Sequence, residues 1–169
     1  MLPTLVAQYQ RWFRYERDSN GKVLASLGTV PAEHTNTDQF QRALMIFGHI
    51  IAARRIWLYR LGFSSALPAS LFPSKITPDE LVTEMEVMER EWLIYLETLS
   101  EAELERVFEY TSTEGKSFRS VVADVLTQLY GHSLYHRGQI ASLVRVLDGQ
   151  PAETDFVFWS REAVERPPV

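Results

Sequence analysis

A chain of 169 residues, 46% hydrophobic and 23% charged, has the length for one domain with its own core and not the composition of a disordered chain. Its net charge of −5 speaks against a phosphate-binding surface, because nucleic-acid binders present a basic face, and only Arg54-Arg55 begins to resemble one. With no cysteine there can be no disulfide, thiolate metal site or thiol nucleophile, so any metal must be held by imidazole and carboxylate.

The N-terminus, Met1-Leu2-Pro3-Thr4, lacks the basic start and apolar core of a signal peptide. The longest apolar stretch, Ala43 to Ala53, is about half of the ~20 residues that a membrane span needs. A cytoplasmic protein with neither membrane nor nucleic acid as partner is expected, with residues 1–169 as a single domain.

Four long segments carry helical periodicity. In the first, Leu2, Leu5, Val6, Tyr9, Phe13, Val23, Leu24 and Leu27 recur mostly three or four apart, and Gly28 is a natural stop. Gly21 predicts a bend or break near Ser19-Asn20-Gly21. The second runs from Asp38 to Leu61 behind Thr37 as N-cap. Its centre, Ala43 to Ala53, is apolar all round apart from His49, the pattern of a helix buried on more than one side.

The third helix has the clearest start. Thr77 caps it, Pro78 takes its first position, and Glu80 completes a Thr-x-x-Glu capping box. Its apolar face is Leu81, Met85, Met88, Trp92, Tyr95, Leu96 and Leu99. A second box, Ser100 to Glu103, opens a short helical turn. Val107 to Ser112 then alternates as a strand, and Thr113-Glu-Gly-Lys116 turns it into a small β-hairpin.

The fourth helix is expected from Ser117 to Asp148-Gly149. Its stripe reads Val121/Val122, Val125, Leu129, His132, His136, Ile140, Leu143 and Leu147, with two histidines where the pattern asks for core residues. At a spacing of four they share one face, one turn apart, and two imidazoles so placed can reach one metal ion. His49 supplies a third ligand if the second and fourth helices are neighbours.

The competing reading of His49, His132 and His136 is a buried, metal-free hydrogen-bond cluster. His34, among Glu33, Thr35 and Asn36, reads as a solvated loop residue. Three imidazoles and no thiolate suit a divalent ion, zinc or nickel first and iron, copper or manganese behind them. They would leave one coordination position open for water. Asp155 is the candidate carboxylate to fill it, if the segment after Pro151 folds back.

The stretch Gly131-His-Ser-Leu-Tyr-His-Arg-Gly-Gln-Ile140, with Leu147-Asp-Gly-Gln-Pro151 and Thr154-Asp155-Phe156, resembles the end of the fourth helix in the DinB-like (DinB/YfiT) superfamily. Tyr9-Gln-Arg-Trp12 is similar to the family's first-helix opening, and Phe47-Gly-His49 with Trp57 to its second helix. The resemblance implies an all-α, up-down four-helix bundle, often a homodimer, binding metal through His49, His132 and His136. Many members carry a further histidine where this chain has Gln128, which is not counted as a ligand.

The resemblance also implies a metal-dependent transferase using a small-molecule thiol and an electrophilic substrate, or a hydrolase. A non-enzymatic metal-binding or stress-response module is the alternative. No general base is identified beyond Asp155 and Tyr135 as candidates. Arg137 has two readings, as a contact for an anionic substrate or as the partner of an acidic neighbour. Gln139 reads either as a hydrogen-bond support for the site or as a surface amide, Gly138 as a point of close helix packing, and Phe156 to Trp159 as core or interface cover.

Overall fold

The computed structural model describes residues 3–164. Four long helices dominate it: α1 (Leu5–Leu27), α2 (Asp38–Arg60), α3 (Pro78–Glu97) and α5 (Val122–Val146). Between α3 and α5 come a short α4 (Glu101–Glu105) and two strands, β1 (Val107–Thr111) and β2 (Ser117–Val121), and a short α6 (Phe156–Ser160) follows α5. None of the helices among the described residues is long and apolar enough to cross a membrane.

Helix starts are set locally. The side-chain oxygens of Thr4, Thr37, Thr77 and Ser100 accept from the backbone N–H groups of Ala7, Phe40, Glu80 and Glu103. Each satisfies a donor that the first helical turn leaves without a partner. At Thr77 the box is reciprocal, the backbone N–H of Thr77 donating to Glu80 Oε2 over 2.8 Å.

Tertiary packing assembles the elements. α2 packs against α5 and α3, and α1 packs against the same two helices. Phe13, Leu44, Phe47, Ile50, Leu81, Met88, Trp92, Leu129 and Ile140 lie in one shared core. Burial of a side chain of this size contributes roughly 1.5–3 kcal/mol, offset by the entropy of ordering it.

Three expectations need correction. α1 runs unbroken through Gly21, because Ser19 and Asn20 are buried, at 0% and 2% exposure, so packing holds the helix where local propensity is weak. The fourth long helix starts at Val122, not Ser117, because Ser117–Val121 pairs with Val107–Thr111 as an antiparallel hairpin. Gly115, at φ 80°, makes the turn. Gly138 is not a packing point, since a Cβ there would meet nothing within 4 Å. A close approach is found instead at Gly149, where a Cβ would lie 2.8 Å from Val144 and 3.0 Å from Val30, and at Gly48.

Candidate metal centre

The buried line of α5 runs through Leu129, Ser133, Arg137 and Ile140. His132 and His136 therefore stand one position off the core, half-buried at its edge, and not on the core stripe that the sequence pattern assigns them. α2 is packed directly on α5 and brings His49, 8% exposed, to face them.

The three rings converge on their Nε2 atoms. His132 Nε2 lies 3.1 Å from His49 Nε2 and 3.1 Å from His136 Nε2. One ligand atom from each residue falls within 4.8 Å of the others. Two nitrogens bound to a tetrahedral ion at 2.0–2.1 Å are roughly 3.3 Å apart, so the spacing suits a shared metal.

Protonation separates a metal site from a hydrogen-bond cluster. His49 Nδ1 donates to the carbonyl oxygen of Leu71 over 2.7 Å, and a carbonyl can only accept. His136 Nδ1 likewise faces Gln139 Oε1 at 2.8 Å. Both Nε2 atoms then carry lone pairs. A neutral His132 can donate from Nε2 to only one of them, so at least one contact sets lone pair against lone pair. A cation on which all three converge removes that conflict, and the Nδ1 bonds are the outer supports that metal-binding histidines usually have.

The surroundings favour the neutral form of His132 and His49, the form a metal ligand needs. Burial pushes the His132 pKa down to about 4, helped by charge on His136, His49 and Arg54. Burial also lowers that of His49, against the opposing effect of the Leu71 carbonyl.

Residues 61–77, between α2 and α3, act as a strap over the site. Leu71 holds the His49 proton, and the next residue, Phe72, stacks on the His49 ring at 4.1 Å between centroids and 5° between planes. Pro73 rests on α2 at Gly48, where an added Cβ would come within 2.6 Å of Pro73 Cγ. The strap also borders a cavity of about 480 Å³ lined by Gly48, Ala52, Arg55, Pro73 and Lys75, but no histidine lines it.

Other candidates fall elsewhere. Asp155 is the N-cap of α6 and is no member of the histidine group. The segment around it does fold back, but onto α1: Tyr15 donates to the Thr154 carbonyl, and Phe156 and Trp159 pack edge-on to Tyr15. His34 sits in a 3-10 turn, 3.5 Å from the Asp148 carboxylate. Tyr135 is exposed on α5 with its ring 5.1 Å from that of His136.

Arg137 is buried against an acidic neighbour, its Nη1 lying 3.6 Å from Glu16 Oε1. Arg54 pairs with Glu16 Oε2 in the same interior, and Arg55 with Glu84, so Arg54-Arg55 forms no basic patch. The trio Glu16, Arg54 and Arg137 is 2%, 4% and 2% exposed and joins α1, α2 and α5 beside the histidines. Of Arg137's two readings the acidic partner holds, but sequence reasoning identified neither Glu16 nor Arg54 as its companions, because a charged residue on an amphipathic helix is normally solvated.

No curated protein and no solved structure is significantly similar to this chain. A model of the DinB family matches residues 1–166, nearly the whole length, spanning all three histidines and the elements that carry them. The chain belongs to the DinB family.

Proposed function

We propose that His49, His132 and His136 bind one divalent metal ion through Nε2, zinc or nickel before iron or manganese, in an up-down four-helix bundle forming a single domain. The observation that carries this is the facing of imidazole lone pairs, with His49 Nδ1 committed to Leu71 and His136 Nδ1 to Gln139. The metal supports an enzyme, a thiol S-transferase or a hydrolase, acting on an electrophilic substrate. A small-molecule thiol would be its other partner, in a homodimer; the family resemblance supports both.

The residues divide the work. The three Nε2 atoms would hold the ion, and three protein ligands are the number that leaves such an ion accessible to a further ligand. Leu71 and Gln139 fix the rings in the tautomer that presents Nε2. Such an ion, when bound, acts as a Lewis acid that makes a thiol or water more acidic near neutral pH. The chain has no cysteine, so the thiol must come from outside.

Metal analysis by mass spectrometry on untagged protein tests the site, wild type beside His132→Ala and His136→Ala. Near-stoichiometric metal in the wild type, lost in both variants, is expected. A wild type that takes up neither zinc nor nickel would return the histidines to a hydrogen-bonded cluster. Loaded protein inactive across a panel of thiols and electrophiles, yet losing thermal stability on chelation, would favour the non-enzymatic module.

A further inference from the structure

Two large aromatic side chains stand in water beside the histidine group. Phe72, on the strap, is 57% exposed and Tyr135, on α5, is 65% exposed. Each touches a different histidine: Phe72 lies flat on His49 at 4.1 Å, and Tyr135 stands edge-on to His136 at 5.1 Å and 72°. Neither ring is buried in the core, so its bulk is not there to fill space.

The helix around Tyr135 is unusually bare. Gly131 and Gly138 lie four before and three after it, its neighbours on the same face. A Cβ at either would meet nothing within 4 Å. Packing does not require these glycines, and glycine inside a helix is less favourable than alanine. Neither position carries a side chain beside the Tyr135 ring, which is 65% exposed.

The residues next to the two rings, on the strap and along that face of α5, are uncharged. Leu71, Phe72, Gly131, Tyr135, Gly138 and Gln139 are all neutral. Arg137, in their midst on the helix, is turned inward to Glu16 and is 2% exposed. Recognition here favours flat apolar surface over charge, since aromatic rings gain from stacked and edge-on partners.

We propose that Phe72 and Tyr135 are specificity-determining residues of the histidine centre and receive an uncharged aromatic group of its substrate. This rests on the metal-binding reading above. Phe72 approaches from the strap and Tyr135 from α5, so the aromatic group lies between two elements while the reacting end reaches the histidines.

The test uses the full chain loaded with cobalt, whose visible absorption reports thiolate binding. Benzyl mercaptan and 2-mercaptoethanol are titrated in parallel into wild type, Phe72→Ala and Tyr135→Ala. The wild type should bind benzyl mercaptan about tenfold more tightly, the scale expected of one or two aromatic contacts. Each variant, compared with the wild type at equal cobalt occupancy, should lose most of that preference for benzyl mercaptan over 2-mercaptoethanol. Equal wild-type affinities, or a preference that survives in both variants, would overturn the proposal. Failure of the wild type to take up cobalt would instead overturn the metal reading, and this inference with it.

Discussion

His49 and Leu71, 22 positions apart, are joined by a 2.7 Å hydrogen bond from the imidazole Nδ1 to the backbone carbonyl. Through it the α2–α3 strap decides which nitrogen of His49 is free to face His132. The state of a buried side chain on a helix thus depends on a surface loop, and the loop is held in turn by its packing on Gly48.

Gly48→Ala should therefore disturb the site without touching a histidine. The new Cβ would lie 2.6 Å from Pro73 Cγ, an overpacking of the kind that costs about 1–3 kcal/mol. Urea denaturation should show that loss, and metal affinity should fall with it as the Leu71 carbonyl shifts. Gly21→Ala is the control, since its Cβ meets nothing within 4 Å inside α1; it should stabilise by about 0.4–1 kcal/mol. Equal behaviour of the two would contradict the strap argument.

Gln139→Ala removes the acceptor 2.8 Å from His136 Nδ1. Loss of such a support typically weakens metal binding about 10–100-fold. Competition with a chromophoric chelator measures this directly, and Gln139→Glu, which keeps an acceptor, should retain most of the affinity. An unchanged affinity in the alanine variant would make Gln139 a surface amide.

Glu16→Ala should be among the most damaging single changes. It leaves the Arg54 and Arg137 guanidinium groups, 4% and 2% exposed, without their shared carboxylate. Breaking a buried pair by removing one partner costs about 3–5 kcal/mol. A loss below about 1 kcal/mol in denaturant titration, the scale of an exposed pair, would mean that water reaches this cluster.

Two glutamates should give opposite pH dependence. The bidentate hydrogen bonds from Arg106 hold Glu103 below the usual carboxylate range. Its folded pKa lies under the unfolded one, so its stabilisation is complete above the unfolded value and fades as pH falls. Burial raises Glu89 despite Arg17. Its ionisation therefore opposes folding, and stability declines as pH rises from the unfolded value through the raised one. Thermal melts across the acid range should show Glu103→Gln flattening the loss toward low pH and Glu89→Gln removing the decline toward higher pH.

Much of this protein was legible in one dimension. Caps at Thr37 and Thr77, the apolar centre of α2, the first strand and turn of the hairpin and the four-residue spacing of His132 and His136 are local patterns, and local physics fixes them. Gln139 was also within reach, three residues from His136 on the same helix. The start of α5 was not, because Ser117–Val121 becomes a strand only by pairing with Val107–Thr111.

What only the tertiary structure decided is which residues face one another. Periodicity put His132 and His136 in the core stripe, whereas the buried line passes through Ser133 and Arg137. That line is polar because Glu16 on α1 places one carboxylate between Arg54 on α2 and Arg137 inside the molecule. No sequence window contains all three. The meeting of His49 with His132, 83 positions away, has the same origin: spacing supplies ligands along one helix, and only packing between helices can bring the third.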